Sequence, residues 1–115
     1  PLAQNLVELQ ELFRAARHHL KRIGELAGVP IEPDMQTKLC DATQQQLRGV
    51  VTALVPGAGG YDAIAVVYIN DVSVKRHIAD FWASWSYPTV CPLTVSGSGD
   101  EGIRVENVYT DELII

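Results

Sequence analysis

Two apolar runs separated by a string of glycines constrain this chain more than any other feature. Val50-Val51-Thr52-Ala53-Leu54-Val55 and Ala63-Ile64-Ala65-Val66-Val67-Tyr68-Ile69 are continuous and rich in β-branched residues, the pattern of buried strands. Between them stands Pro56-Gly57-Ala58-Gly59-Gly60-Tyr61-Asp62, a segment that turns the chain rather than extending it. A lone pair of strands is marginal in water and needs a covering layer. That layer has to come from helices.

The rest of the chain supplies them. Leu6, Leu9, Phe13, Ala16, Leu20, Ile23 and Ala27 recur three and four apart, which predicts a first helix with these residues on its core face. Gly28 and Pro30 stop it. Gly24, inside the helix, costs roughly 1 kcal/mol relative to Ala and therefore suggests a close packing contact. Arg14, Arg17, His18 and Lys21 share another face, read as solvated, with phosphate docking as the alternative. A second helix is expected from Pro33, with Asp34 in its first turn, Met35, Leu39, Ala42 and Leu47 inward and Gly49 at its end. Asn70 or Asp71 caps a third, whose apolar stripe is Val74, Ile78, Phe81, Trp82 and Trp85, with His77 at the surface. Two more strands are expected near 90–95 and 103–108, joined by a hairpin over 97–102. The order α-α-β-β-α-β-β predicts an α+β fold, a two-layer sandwich of helices on a mostly antiparallel four-stranded sheet.

At 115 residues there is room for one domain over residues 1–115. Apolar and charged fractions of 47% and 20% suit a globular protein, and the net charge of −5 argues against a nucleic-acid partner. No apolar run approaches the ~18 residues of a membrane helix, and the start resembles no signal peptide. Without an initiator Met, the chain reads as a segment of something longer. Cys40 and Cys91 are too few and too isolated for a disulfide framework or a metal site. Cys40 falls at an apolar helical position, so a buried free thiol in a reducing, cytoplasmic setting is expected.

The glycine string admits two readings. Gly57, Gly59 and Gly60 allow positive φ and let backbone N–H groups approach an anion, as in a phosphate-binding nest. They equally suit a tight connection between strands. The string lacks the Gly-Lys-Ser/Thr ending of a P-loop and the GxGxxG spacing of a dinucleotide fold, so it reads as one wall of a phosphate site built mostly elsewhere. Asp62 either orients a substrate hydroxyl or a Mg²⁺-bound water, or holds the loop through its backbone amides, the second being preferred.

Val55-Pro56-Gly57-Ala58-Gly59-Gly60-Tyr61-Asp62-Ala63 resembles the third signature motif of the GHMP kinases, in the form found in phosphomevalonate kinases. Gly28-Val29-Pro30-Ile31-Glu32-Pro33, with Gln36-Thr37, Leu39 and Asp41, is similar to the segment preceding that motif. Tyr61-Asp62 stands where many members of the wider superfamily continue with glycine, which narrows the subfamily. The resemblance implies a ferredoxin-like C-terminal domain whose loop Gly57, Ala58, Gly59, Gly60 and Asp62 borders the substrate phosphate. It also implies cleft-facing roles for Glu32, Gln36 and Thr37. It implies transfer of the γ-phosphoryl of ATP, with Mg²⁺, to 5-phosphomevalonate. The catalytic residues would belong to an N-terminal kinase domain of the same polypeptide, with none of the catalytic or metal-binding residues in this chain. On that reading the chain alone is inactive and binds no nucleotide. Another GHMP small-molecule kinase, or a non-catalytic α+β domain binding a phosphorylated ligand, are the alternatives.

Overall fold

The computed structural model describes residues 1–93 together with 95, 102, 105 and 107. Helix α1 runs Leu2–Ala27 and ends where predicted, at Gly28 in the left-handed conformation with φ 70° and ψ 26°. Helix α2 runs Asp34–Gln46. Pro33 is its N-cap rather than part of its first turn: the backbone there is extended, and its carbonyl accepts the Thr37 N–H at 2.9 Å. The helix stops before Leu47, which is already extended and leads the chain toward the sheet, three positions earlier than Gly49 implied.

Strands β1, Val50–Leu54, and β2, Ala65–Tyr68, pair antiparallel, with Ala53 opposite Val66 and Leu54 opposite Ala65. A register irregularity lies between Val50 and Thr52. Val50, Val51, Thr52 and Ala53 are all buried, so β1 is covered on both faces. Both α1 and α2 pack on it, and the Gln10 side chain donates to the Val50 carbonyl at 3.0 Å.

Helix α3, Val72–Ser84, begins at Asp71, whose carboxylate accepts the Ser73 N–H at 2.7 Å. Its predicted stripe holds: Ile78 is buried, Val74, Phe81, Trp82 and Trp85 are partly buried, and His77 is exposed. The Trp82 indole donates to Thr43 Oγ1 at 3.1 Å, and that hydroxyl donates to the Leu39 carbonyl, which ties α3 to α2. Leu39, Cys40, Val50, Val51, Ala53 and Ile78 form the apolar core.

Helix α1 corrects the sequence reading. Its packed face carries Leu6, Gln10, Phe13, Arg17, Lys21 and Gly24, rotated by nearly a quarter turn from the leucine stripe. Leu9, Leu20 and Ile23 are exposed. Gly24 decides this rotation. A Cβ there would stand 2.6 Å from the Val29 carbonyl oxygen and 3.1 Å from Ile31 Cβ, so the returning chain crosses the helix at Gly24. Arg17 and Lys21 lie on that same side and are therefore not the solvated face expected of them.

The α+β class is seen, with a two-stranded sheet among the described residues. Residues 90–93, expected to begin a third strand, carry no regular structure, and the nearby bridge pairs Ser86 with Thr89. Most of the 97–102 hairpin and of the strand at 103–108 lies outside the described residues.

Candidate functional site

The loop between β1 and β2 is longer than a tight hairpin connection and is built in two parts. Its tip begins with a turn: the Gly59 N–H donates to the Pro56 carbonyl at 3.2 Å, with Gly57 at φ 61° in the first central position. Positive φ at that position is what glycine supplies in turns of the II′ kind. Pro56, Gly57 and Ala58 are exposed. Among the described residues, the amides of Gly57 and Ala58 donate to no protein acceptor.

The second part is anchored. The Gly60 N–H donates to the Ile31 carbonyl at 2.9 Å. Gly59, at φ 83°, lies so close to the Ile31 backbone that a Cβ would meet its carbonyl oxygen at 2.5 Å and its Cα at 2.6 Å. By contrast, a Cβ on Gly57 or Gly60 would meet nothing within 4 Å. The two sequence stretches singled out separately, 28–33 and 55–63, are therefore in direct backbone contact.

Beneath this contact lies a buried charge network that sequence reasoning missed. Arg17, 8% exposed, donates through Nε and Nη2 to the two carboxylate oxygens of Glu32 at 2.8 and 3.1 Å, and through Nη1 to Asp41 at 2.9 Å. Lys21 donates to the Glu32 carbonyl, the Thr37 hydroxyl and Asp34 at 2.8, 2.9 and 3.0 Å. The Thr37 hydroxyl donates to Glu32 at 2.8 Å. Burial works against the Arg17 charge, but the hydrogen bonds it donates to Glu32 and Asp41 outweigh it and raise its pKa further. Lys21 holds the exposed Asp34 carboxyl below its usual range. The residue before Glu32 is Ile31, on which the glycine loop rests. The network thus fixes the platform of the loop. Gly24 carried the signal for it: counting back along the helix from a glycine at the crossing point leads to Lys21 and Arg17 on the inner face.

The candidate residues are brought together unevenly. Glu32 and Thr37 belong to the network, with the Glu32 carboxylate turned to Arg17. Gln36 is buried, and its Oε1 has no partner among the described residues. Asp62 is exposed and its carboxylate accepts no protein hydrogen bond there, so the preferred loop-holding role is not seen. A concavity of about 570 Å³ opens beside the loop, lined by Lys21, Gly24, Glu32, Asp34, Tyr61 and Tyr87 among others. Among the described residues no three His, Cys, Asp or Glu side chains converge as metal ligands, and no helix is long and apolar enough to cross a membrane.

Comparison with known proteins agrees with the two stretches. The phosphomevalonate kinase of Gibberella zeae is 38% identical over 109 residues, covering 92% of this chain and 24% of that protein. A phosphomevalonate kinase of Arabidopsis thaliana, named as peroxisomal, is 40% identical over 72% of this chain and 16% of its own length. That of Aspergillus fumigatus is 40% identical over 64% of this chain and 15% of its own length. No family profile and no solved structure matches. The chain spans about a quarter or less of the curated relatives it matches, and on these matches it belongs to the phosphomevalonate kinase family as a segment of that sequence.

Proposed function

We propose that this chain is the C-terminal lobe of a phosphomevalonate kinase and supplies one wall of its active-site cleft. The reaction of the whole protein would transfer the γ-phosphoryl of ATP to the phosphate of 5-phosphomevalonate, giving ADP and 5-diphosphomevalonate. The match across 92% of the chain to the Gibberella zeae relative carries this reading. The seating of the glycine loop on residues 28–33 supports it.

The loop's part is positional. Its anchored half, Gly59 and Gly60, fixes the tip against Ile31, and the free amides of Gly57 and Ala58 would meet a phosphate without intervening side chains. Phosphoryl transfer depends on such positioning and on charge stabilisation more than on covalent steps by the protein. On this reading ATP and Mg²⁺ are held by the remainder of the polypeptide. The compartment is left to the relatives' range, one of which is named as peroxisomal.

Gly57 gives the clean test. Its φ of 61° is one that L side chains rarely adopt, so the added methyl group, which meets no neighbour, costs only backbone strain of about 1–3 kcal/mol. In the full-length protein Gly57→Ala is expected to lower kcat/KM for 5-phosphomevalonate at least tenfold, about 1.4 kcal/mol, with only a small drop in Tm. Unchanged kinetics would leave the tip a mere connection between strands. Absence of phosphoryl transfer by the parent protein would remove the kinase reading itself.

A further inference from the structure

Glu32 is bonded into the platform of the glycine loop and closed to a ligand. It is 7% exposed, and both of its carboxylate oxygens are occupied: Arg17 Nε holds one at 2.8 Å, while Arg17 Nη2 and the Thr37 hydroxyl hold the other at 3.1 and 2.8 Å. The Thr37 hydroxyl in turn accepts from Lys21 at 2.9 Å. The backbone around Glu32 is tied as closely. Its own carbonyl accepts from Lys21 Nζ at 2.8 Å, the Ile31 N–H donates to the Val29 carbonyl at 2.9 Å, and the Val29 N–H donates back to the Gly24 carbonyl at 2.9 Å. The Ile31 carbonyl is the group that meets the loop, accepting the Gly60 N–H at 2.9 Å, and the Gly59 N–H then closes on the Pro56 carbonyl. A path of hydrogen bonds and short stretches of backbone therefore runs from Arg17 to the tip.

We infer that Arg17, Glu32 and Thr37 are positioning residues of the proposed phosphoryl transfer, acting through Ile31 on the glycine loop without touching substrate. The inference rests on the proposed reading of the chain as one lobe of a kinase. A buried ion pair adds little net stability over a packed apolar pair of the same volume, because desolvating two charges offsets most of their attraction. What a guanidinium fork on a carboxylate adds is geometry, since two parallel bonds fix distance and orientation together. The junction with the loop makes that geometry matter. At Gly59 backbone rests on backbone, so close that a Cβ would stand 2.5 Å from the Ile31 carbonyl oxygen. A shift of Ile31 is passed to the loop with no side chain between to absorb it. Misplacement of a group by ~1 Å can cost on the order of a hundredfold in rate.

The test uses Glu32→Gln in the full-length polypeptide, which keeps the side chain's shape but breaks the fork. Hydrogen exchange is followed by mass spectrometry on peptides covering 56–62 and the Ile78 region of α3. The slow amides of the first, Gly59 and Gly60, are expected to exchange at least tenfold faster, with the second unchanged. Unchanged exchange at the loop overturns the inference, and so does an equal rise in both peptides, which marks a general loss of stability. Kinetics then separate positioning from substrate contact. Glu32→Gln is expected to lower kcat/KM for 5-phosphomevalonate at least tenfold alone, but less than threefold when added to Gly57→Ala, because both act through one loop. An equal loss in the two backgrounds, or normal turnover with a loosened loop, overturns it. Should Glu32→Gln fail to fold, Thr37→Val takes its place beside Thr37→Ser, whose retained hydroxyl is expected to keep both readouts at the parent values. Exchange is read without turnover, so a parent that transfers no phosphoryl removes the kinase reading while the link from Glu32 to the loop is still decided.

Discussion

At the scale of single residues, the glycines of one loop do different work. Gly59 is fixed by the backbone of Ile31, because a methyl group there falls within 2.5–2.6 Å of main-chain atoms that cannot turn aside. Overpacking and left-handed strain together make Gly59→Ala cost about 3 kcal/mol, seen as a large drop in Tm whatever happens to activity. The sequence reading grouped Gly57, Gly59 and Gly60 as one wall of a phosphate site. Gly59 stands apart from the other two, because its substitution tests the fold rather than the site. Arg17 gives the second residue-scale expectation. Arg17→Met strands the buried Glu32 carboxylate and should cost about 3–5 kcal/mol. Adding Glu32→Gln should recover a good part of the loss, since the remaining partner Asp41 is half exposed and can turn to water. A double variant no more stable than the single one would show that the charges are not coupled in this way.

At the scale of elements, α2 is held from two sides and its inner face is buried. Cys40 sits there, fully buried, and burial pushes its thiol up to about 12 from an ordinary 9.0. A raised pKa in the folded state means that the unfolded chain releases this proton first. The stability it contributes is complete below pH 9 and declines as pH rises from about 9 to 12. Cys40→Ala should therefore flatten the fall of stability with pH across that window, measured as denaturant midpoints of parent and variant. An equal slope in both would place the alkaline transition elsewhere. Cys91, exposed, should react with thiol reagents under conditions in which Cys40 does not.

At the scale of the whole molecule, the described part has one strand buried on both faces and a concavity beside the glycine loop. On the proposed reading it is one lobe of a larger catalyst. The 115-residue chain, assayed with ATP, Mg²⁺ and 5-phosphomevalonate, is expected to give no turnover above background. Measurable turnover by the purified chain would mean that the catalytic groups lie within it.

The sequence by itself determined the local elements: the stop of α1 at Gly28, the start of α3 at Asn70 or Asp71, the two strands and the glycine loop between them. These follow from backbone constraints and short-range periodicity, which neighbouring residues carry on their own. It also marked Gly24 as a place of close approach. Which side of α1 turns inward was decided only by tertiary structure. A leucine stripe and an Arg–Lys stripe offer rival faces on one helix, and hydrophobicity alone favours the leucines. The crossing at Gly24 and the bidentate pair of Arg17 with Glu32, fifteen residues apart in sequence, turned the helix the other way. The junction of residues 28–33 with the glycine loop was likewise invisible in either stretch, because a contact between two backbones leaves its mark only as a missing side chain.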